Sequence, residues 1–314
     1  MNLNAVDDKM AMTEGTDPIN YENRGDRPDV FSLEELVKHL KHRSVPSVPS
    51  VIKKISLVES IDSTNSFLLR ASGNYLPLID ENGNLTQSGT EFNFSVKAAE
   101  TQSNGRGRLG RSFVSPQITG IYFSFSLVKK GGITNPSMIT VGAAVGVCRA
   151  IEKTYGVQCK IKWVNDIYCG TKKVCGILTE GIFNSTSGKV EGCICGIGIN
   201  ILSGNSFDSE LKSRAGGILD GIKSKNKISR VKLLANCLDE LLDIFDSEEN
   251  IISEYRERSF LAGKTVTVTP VIGNDKSSYK ACAIGISENA GLLVKLDDGT
   301  TRELTCGEVT LHEN

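Results

Sequence analysis

Histidine is scarce in this chain of 314 residues and cysteine is unpatterned: there are three histidines and nine cysteines, an odd number without a C-x-x-C pair. Those shortages exclude a zinc site of ordinary spacing and a disulfide framework, and they fit a reducing compartment. No apolar run approaches the roughly twenty residues needed to cross a bilayer, and the polar start lacks the basic-then-apolar order of a signal region. Excess charge is missing too. With 36 Lys and Arg against 37 Asp and Glu, the formal net charge of -1 gives no general attraction to phosphate backbones or anionic lipid, so basic character must be local. The expectation is a cytoplasmic globular protein without nucleic-acid or membrane partners.

The length accommodates one large core and a small second one. Residues 1–29 are polar and read as a mobile extension. Leu33, Leu36, Val37 and Leu40 then share one helical face behind a Ser32 cap, with Glu35 three residues later, before a repeated Val-Pro-Ser ends the helix and residues 44–50 form a linker. A first unit, 1–50, is drawn there. Residues 51–261 mix strands and helices. A strand near 55–58 precedes a helix over 65–71 capped by Ser63 or Thr64, and residues 74–93, rich in Asn and Gly, read as a surface excursion. Ile121, Phe123, Phe125 and Leu127 alternate as a strand over a core, and Asn135-Pro136 opens a helix carried by Val141, Val145, Cys148 and Ile151 to Gly156. Strands follow at 159–163, 173–180 and 190–200, then helices at 230–245 and 251–260. Cys193 and Cys195 read as small core residues. From 262 to 314 the pattern becomes short strands with Gly turns, a small barrel whose core takes Val266, Ala283, Ile286 and Leu293. The fold class is α/β with a mixed sheet, flanking helices and that barrel.

The densest signal is 97–111, KAAETQSNGRGRLGR, with three arginines and three glycines in one loop. Gly105, Gly107 and Gly110 satisfy G-x-G-x-x-G after a strand, but the following Ser-Phe-Val-Ser-Pro is a poor helix start. Lys129 and Lys130 stand where a ribose-binding carboxylate would be needed. A dinucleotide-binding turn is therefore rejected. The loop instead resembles the ligand-closing loop of biotin protein ligases, also called holocarboxylase synthetases, and further motifs continue the resemblance in order. They are Ser63-Thr64-Asn65, Gln102 with 105–111, 162–166 (KWVND), Lys173 with 176–180 (GILTE), and 196–200 (GIGIN), and the match runs over about residues 55–311. One departure is Val164, where the family usually has Pro.

The resemblance implies a catalytic domain like that of class II aminoacyl-tRNA synthetases and an SH3-like tail. It implies an ATP-dependent ligase that makes biotinyl-AMP with Mg²⁺ and then modifies a lysine of a biotin carboxyl carrier protein. Ser63, Thr64, Asn65 and Gln102, with backbone at Arg106 and Gly107, are implied for biotin, joined by Arg108 and Lys173. Arg106, Arg108, Arg111, Asn165 and Asn200 are implied for ATP, Asp166 for the metal, and Arg108, Lys173 and Asp166 for catalysis. The residue types suit the task. A carboxylate that must approach a polyanion needs guanidinium forks and an ammonium more than it needs an acid or base. Plain alternatives remain for several: Ser63 or Thr64 as a helix cap, and Asn165-Asp166 or Asn200 as turn residues. Trp163 matches the parity of Ile161 and reads as core, and Lys172 faces away from Lys173. Family members often associate through a sheet edge, so a homodimer is among the expected states.

A lipoate protein ligase is the rival enzyme, and a biotin-sensing DNA-binding repressor is the rival of another class. The sequence favours a monofunctional ligase, since one helix before a Pro-rich linker cannot build a three-helix groove reader. Specific DNA binding is accordingly not expected. Saturable, sequence-dependent retardation of operator DNA in a gel-shift assay would contradict this.

Overall fold

The computed structural model describes residues 31–42, 44, 50–203, 207, 209–220, 229–247, 250–271 and 277–311. The expectations for 1–29, for most of the linker and for the turn at Gly273 lie outside the described residues. The described chain opens on α1 (Leu33–His39), where Ser32 accepts from the Glu35 amide as its sequence requires. The segment is fixed at both ends. Phe31 N donates to Glu100 Oε1 at 3.1 Å, and the Lys41 and His42 amides donate to the buried Asp239 carboxylate at 2.9 to 3.1 Å.

Next come β1 (Ile55–Ile61), α2 (Thr64–Ser72), α3 (Gln87–Phe92), β2 (Val96–Gln102), β3 (Gly120–Val128) and α4 (Pro136–Tyr155). β4 (Lys160–Lys162), β5 (Asp166–Cys169), β6 (Lys172–Asn184) and β7 (Lys189–Asn200) complete a seven-stranded sheet of order β1-β2-β3-β7-β6-β5-β4. Only β1 and β2 pair in parallel, so the mixed sheet is as expected. α5 (Ser209–Arg214), α6 (Arg230–Ser247) and α7 (Ile252–Glu257) follow.

β3 is buried along its whole length. Ile121, Phe123, Phe125 and Leu127 belong to the core with α4 and α6, where Phe125 lies 5.8 Å from the Phe245 ring. On the opposite parity Tyr122, Ser124 and Ser126 are equally enclosed, and Ser124 meets α2. α4 is the helix the sequence announced, with Asn135 as cap, Pro136 at its first position and left-handed Gly156 at its end.

Two readings need correction. Residues 74–93 are more than a surface excursion, because Tyr75, Leu78, Ile79 and Phe92 form a second apolar cluster with Leu68, and Thr86 caps α3. Asn and Gly spaced between the apolar residues hid their convergence. In the tail, β8 (Thr265–Thr269), β9 (Tyr279–Ile286), β10 (Leu292–Lys295), β11 (Thr301–Leu304) and β12 (Glu308–Leu311) make an antiparallel SH3-like sheet ordered β11-β10-β9-β8-β12. Val266, Ala283 and Ile286 are buried there, but Leu293 is half-exposed while Leu292 and Val294 are buried. A register shift between Leu293 and Val294 breaks the simple alternation. The strands β5 and β12 were also not anticipated.

Glu100 and Arg230 form the deepest ion pair, two hydrogen bonds of 2.6 and 3.2 Å with Arg230 only 1% exposed. Phe31 covers the guanidinium at 4.7 Å. Replacing Glu100 by Ala takes the paired carboxylate from a buried cation and the acceptor from the Phe31 amide. Stability should fall by about 3–5 kcal/mol. Urea unfolding measures it, and a loss under about 1 kcal/mol would show the pair to be dispensable.

Candidate functional site

The start of α2, the floor of β3, β6 and β7, and the Arg-rich loop meet at one place. Ser63 caps α2, its Oγ accepting from the Ser66 amide, which leaves Thr64 and Asn65 in the first turn with both side chains buried. Gln102, at the end of β2, accepts from Thr64 N at 2.9 Å and Thr64 Oγ1 at 3.2 Å, while its Nε2 donates to Ser115 Oγ. Thr64 Oγ1 lies 2.7 Å from Ser124 Oγ, which donates to Asn65 Oδ1 at 2.5 Å. Asn65 Nδ2 donates to Leu178 O and to Glu180 Oε2 at 3.0 Å. Arg106 closes the series with both terminal nitrogens on Glu180, at 2.8 and 3.0 Å. Of the implied ring-binding residues, Thr64, Asn65 and Gln102 thus join Arg106 in one hydrogen-bonded chain, while Ser63 stays outside it as the helix cap.

Glycine makes room for it. A Cβ at Gly196 would stand 2.0 Å from Asn65 Oδ1, and one at Gly198 would stand 2.4 Å from the Phe113 ring, which also lies over Gly176. Phe113 is the apolar wall beside the polar chain.

The loop itself folds back as a narrow ribbon, with bridges between Gln102 and Ser115 and between Arg106 and Ser112. Gly107 N donates to Arg111 O at 2.7 Å. Its tip carries Leu109 at φ 55 and Gly110 at φ 74, and Leu109, left-handed and 54% exposed, is an unfavourable backbone for an apolar residue. The three arginines diverge. Arg108 Nη1 donates to Asn165 Oδ1 at 3.0 Å and Nη2 to the carbonyl of Gly307 at 3.3 Å, whereas Arg111 grips Glu308 of β12 at 2.5 and 2.7 Å. Arg111 is therefore turned toward the C-terminal sheet.

The β4–β5 turn supplies the rest. Asn165 Nδ2 donates to Ile177 O, and the Ile177 amide returns a bond to Asn165 O. Asp166 of β5 and Lys173 of β6 are offset in register, opposite Gly176 and Tyr168, but their Oδ1 and Nζ meet at 2.6 Å. Burial holds the nearby Lys162 ammonium below its usual range, against the opposing influence of Asp166. The turn rests on Tyr255 Oη, which donates to Val164 O, and on Trp163, whose Nε1 donates to Ala290 O; Trp163 is core as expected. The Trp163–Val164 peptide is cis. Lys172 is tied away from the site to the Lys212 carbonyl. Asn200 stands apart at the end of β7, opposite Gly120, and makes no side-chain hydrogen bond to a described residue.

Among the described residues Arg106, Arg111 and Lys173 pair with Glu180, Glu308 and Asp166, and Arg108 and Lys162 add two further cations, so the site keeps cationic character in a near-neutral chain. Such a place suits an anionic ligand. Sequence reasoning missed Ser124, Glu180 and Phe113. A polar residue alternating against Phe123 and Phe125 was the available signal for Ser124, and Glu180 was in view only as the end of a motif. Among the described residues no helix is long and apolar enough to cross a membrane, and no group of three His, Cys, Asp or Glu could hold a metal.

Residues 79–200 match the biotin/lipoate A/B protein ligase family. The chain is 30% identical over 214 residues to the Bifunctional ligase/repressor BirA of Bacillus subtilis (strain 168), covering 65% of this chain and 62% of that protein. It thus spans less than two thirds of that relative's length. Among solved structures it is similar to the biotin protein ligase from Aquifex aeolicus in complex with biotin and ATP, with a TM-score of 0.62 at 24% identity over 83% of this chain and 100% of that one. The biotin protein ligase from Leishmania major in complex with biotinyl-5-AMP gives 0.51 at 19% identity over 80% and 98%. These structures share its fold.

Glu308→Ala releases the fork that holds the loop to β12. An exposed pair of this kind contributes at most about 1 kcal/mol, so opening of the loop should rise up to about fivefold. Trypsin cleavage after Arg108 and Arg111, timed by mass spectrometry, reads that opening, and an unchanged cleavage rate would show that the pair does not hold the loop.

Proposed function

We propose that the chain, whose residues 79–200 match the biotin/lipoate A/B protein ligase family, is an ATP-dependent biotin protein ligase whose acceptor is a biotin carboxyl carrier protein. The observation that carries this reading is the convergence of Thr64, Asn65 and Gln102 with Arg106, beside the cations Arg108 and Lys173. A ureido ring offers two N–H donors and a carbonyl, which a buried hydroxyl-and-amide chain can pair. A dithiolane ring offers none of these, and the buried polar groups would stay unmet. That difference favours biotin over lipoate.

In the first half-reaction the biotin carboxylate attacks the α-phosphorus of ATP; the C–O–P link forms, the α–β anhydride breaks and pyrophosphate leaves. Both reactants are anions. Arg106, Arg108 and Lys173 offset that repulsion and orient the two groups, the guanidinium forks gripping oxygens in pairs. Phe113 shields the ring side from water. In the second half-reaction the acceptor amine attacks the acyl carbon, the amide forms, the amine gives up a proton, and AMP departs.

Magnesium would supply charge neutralisation on the phosphates. The donor set fits it only as a shared site: Asp166 provides one carboxylate, already paired with Lys173, and the nucleotide must provide the other oxygens. Asn165, held by Arg108, lies beside it as a nucleotide contact. Asn200 and Arg111 are farther candidates for ATP.

Incubation of a purified carrier domain with the protein, ATP, Mg²⁺ and either biotin or lipoate decides between the acids. One biotinyl mass shift is expected and no lipoyl shift. A lipoyl shift in place of the biotinyl one, or no shift with either acid, would overturn the reading.

Arg108 ties the loop both to the β4–β5 turn and to the C-terminal sheet, so it acts as the fastening of a lid. Arg108→Gly cuts both ties and loosens the backbone. Biotinyl-AMP should escape faster and label lysines of a bystander such as albumin. An unchanged adenylate off-rate with unlabelled albumin would contradict the lid.

A further inference from the structure

Glu180 of β6 receives two different elements on one carboxylate. Asn65 Nδ2 and Arg106 Nη1 both reach Oε2 at 3.0 Å, and Arg106 Nη2 reaches Oε1 at 2.8 Å. An ionised carboxylate only accepts hydrogen bonds, and so does the Leu178 carbonyl on the same amide. The NH₂ end of Asn65 must therefore face Glu180, and its Oδ1 must face Ser124. Ser124 has a single proton, and that proton is now committed to Asn65 Oδ1 at 2.5 Å. Thr64 has one proton for two acceptors, Ser124 Oγ at 2.7 Å and Gln102 Oε1 at 3.2 Å; the shorter contact can be made only with Thr64 donating, and Gln102 Oε1 then keeps the Thr64 amide as its donor. Thr64 Oγ1 is left with lone pairs and no spare proton. It presents an acceptor.

We infer that Glu180 is a positioning residue that sets the direction of every proton along the chain from Thr64 through Ser124 and Asn65, so that the site offers an acceptor to a ligand N–H while Arg106 is held beside it. This deepens the biotin reading and rests on it, since a ureido ring is the N–H-bearing group concerned. Glu180 touches no ligand in this account. Its effect reaches the ligand through three groups whose burial removes water as an alternative partner: Asn65, Ser124 and Thr64 are 3%, 0% and 3% exposed.

Glu180→Gln keeps the size but adds an amide donor, so the amide of residue 180 can turn, Asn65 can flip, and the direction of the chain is no longer imposed. It also releases Arg106 from its ion pair. Ser124→Ala cuts the chain from the other side and leaves the Arg106–Glu180 pair intact. The ligands are biotin and a biotin methylated at its ureido nitrogens, which has lost its donors. Calorimetry measures both affinities for parent, single variants and double variant, with thermal unfolding of each alongside.

The parent should bind biotin at least about tenfold more tightly than the methylated form, and both single variants should narrow that ratio several-fold. The double variant should narrow it no further than the stronger single one, because a chain already cut cannot be cut again. The KM for ATP should move less than twofold in Ser124→Ala. A purely structural role would lower the unfolding temperature and weaken both ligands equally, leaving the ratio unchanged. A ratio unchanged in Ser124→Ala, or losses that add in the double variant, overturns the inference while leaving the biotin reading in place. A parent that binds neither ligand overturns the biotin reading and the inference with it.

Discussion

Polar side chains lie end to end across the floor of the site, from Gln102 through Thr64, Ser124 and Asn65 to Glu180 and Arg106, and the middle three are buried away from water. Each buried group left unpaired would cost about 1–3 kcal/mol. The chain therefore exists as a whole or at considerable cost, and it constrains the elements that contribute to it. α2 must begin at Ser63 for Thr64 and Asn65 to point at β3, and β3 must carry a hydroxyl where a core strand would carry an aliphatic group. β6 must end its apolar run on a carboxylate. The Arg-rich loop, although it lies on the surface, is drawn into the same account by Arg106.

The divergence of the three arginines has a consequence for the C-terminal sheet. Arg106 belongs to the floor, Arg108 to the β4–β5 turn and the Gly307 carbonyl, and Arg111 to Glu308. A loop held only by its own ribbon of backbone bonds, with Leu109 in an unfavourable conformation at its tip, would open easily. Its remaining anchors are Glu180, Asn165, and β12 with the turn before it. The small sheet is in turn fixed to the larger unit by Trp163, whose indole donates to Ala290, and by Arg256, which donates to the Ile286 carbonyl. Loop, turn and C-terminal sheet thus brace one another.

Much of this was legible because local chemistry dictates it. The caps at Ser32, Ser63 and Asn135, the Pro that opens α4 and the left-handed Gly156 that ends it are single-residue requirements, and a sequence displays them directly. Alternation located β3 and most strands of the tail. What stayed hidden depends on contacts between distant residues. Tyr75, Leu78, Ile79 and Phe92 look like isolated apolar residues among Asn and Gly until folding gathers them with Leu68, and Leu293 fails its period because of a bulge that only its partner strand reveals. The motif residues were nameable in advance by resemblance. Their partners were not, since nothing in the sequence says that Glu180 takes Arg106 or that Glu308 takes Arg111.

The glycines of β6 and β7 show how the same strands can be both scaffold and site. Glycine inside a strand weakens it by roughly 0.5–1 kcal/mol relative to alanine, so several in central strands would be a liability if nothing replaced the missing side chains. Here Asn65 occupies the space above Gly196, and Phe113 occupies the space above Gly176 and Gly198. Each filler comes from a different source: Asn65 from a helix start locked by the buried chain, Phe113 from the loop. The half of the floor under Asn65 is consequently rigid, whereas the half under Phe113 is only as fixed as the loop that carries it. A site built this way can keep its recognition groups in place while the apolar cover lifts, because the two are supported by different bonds.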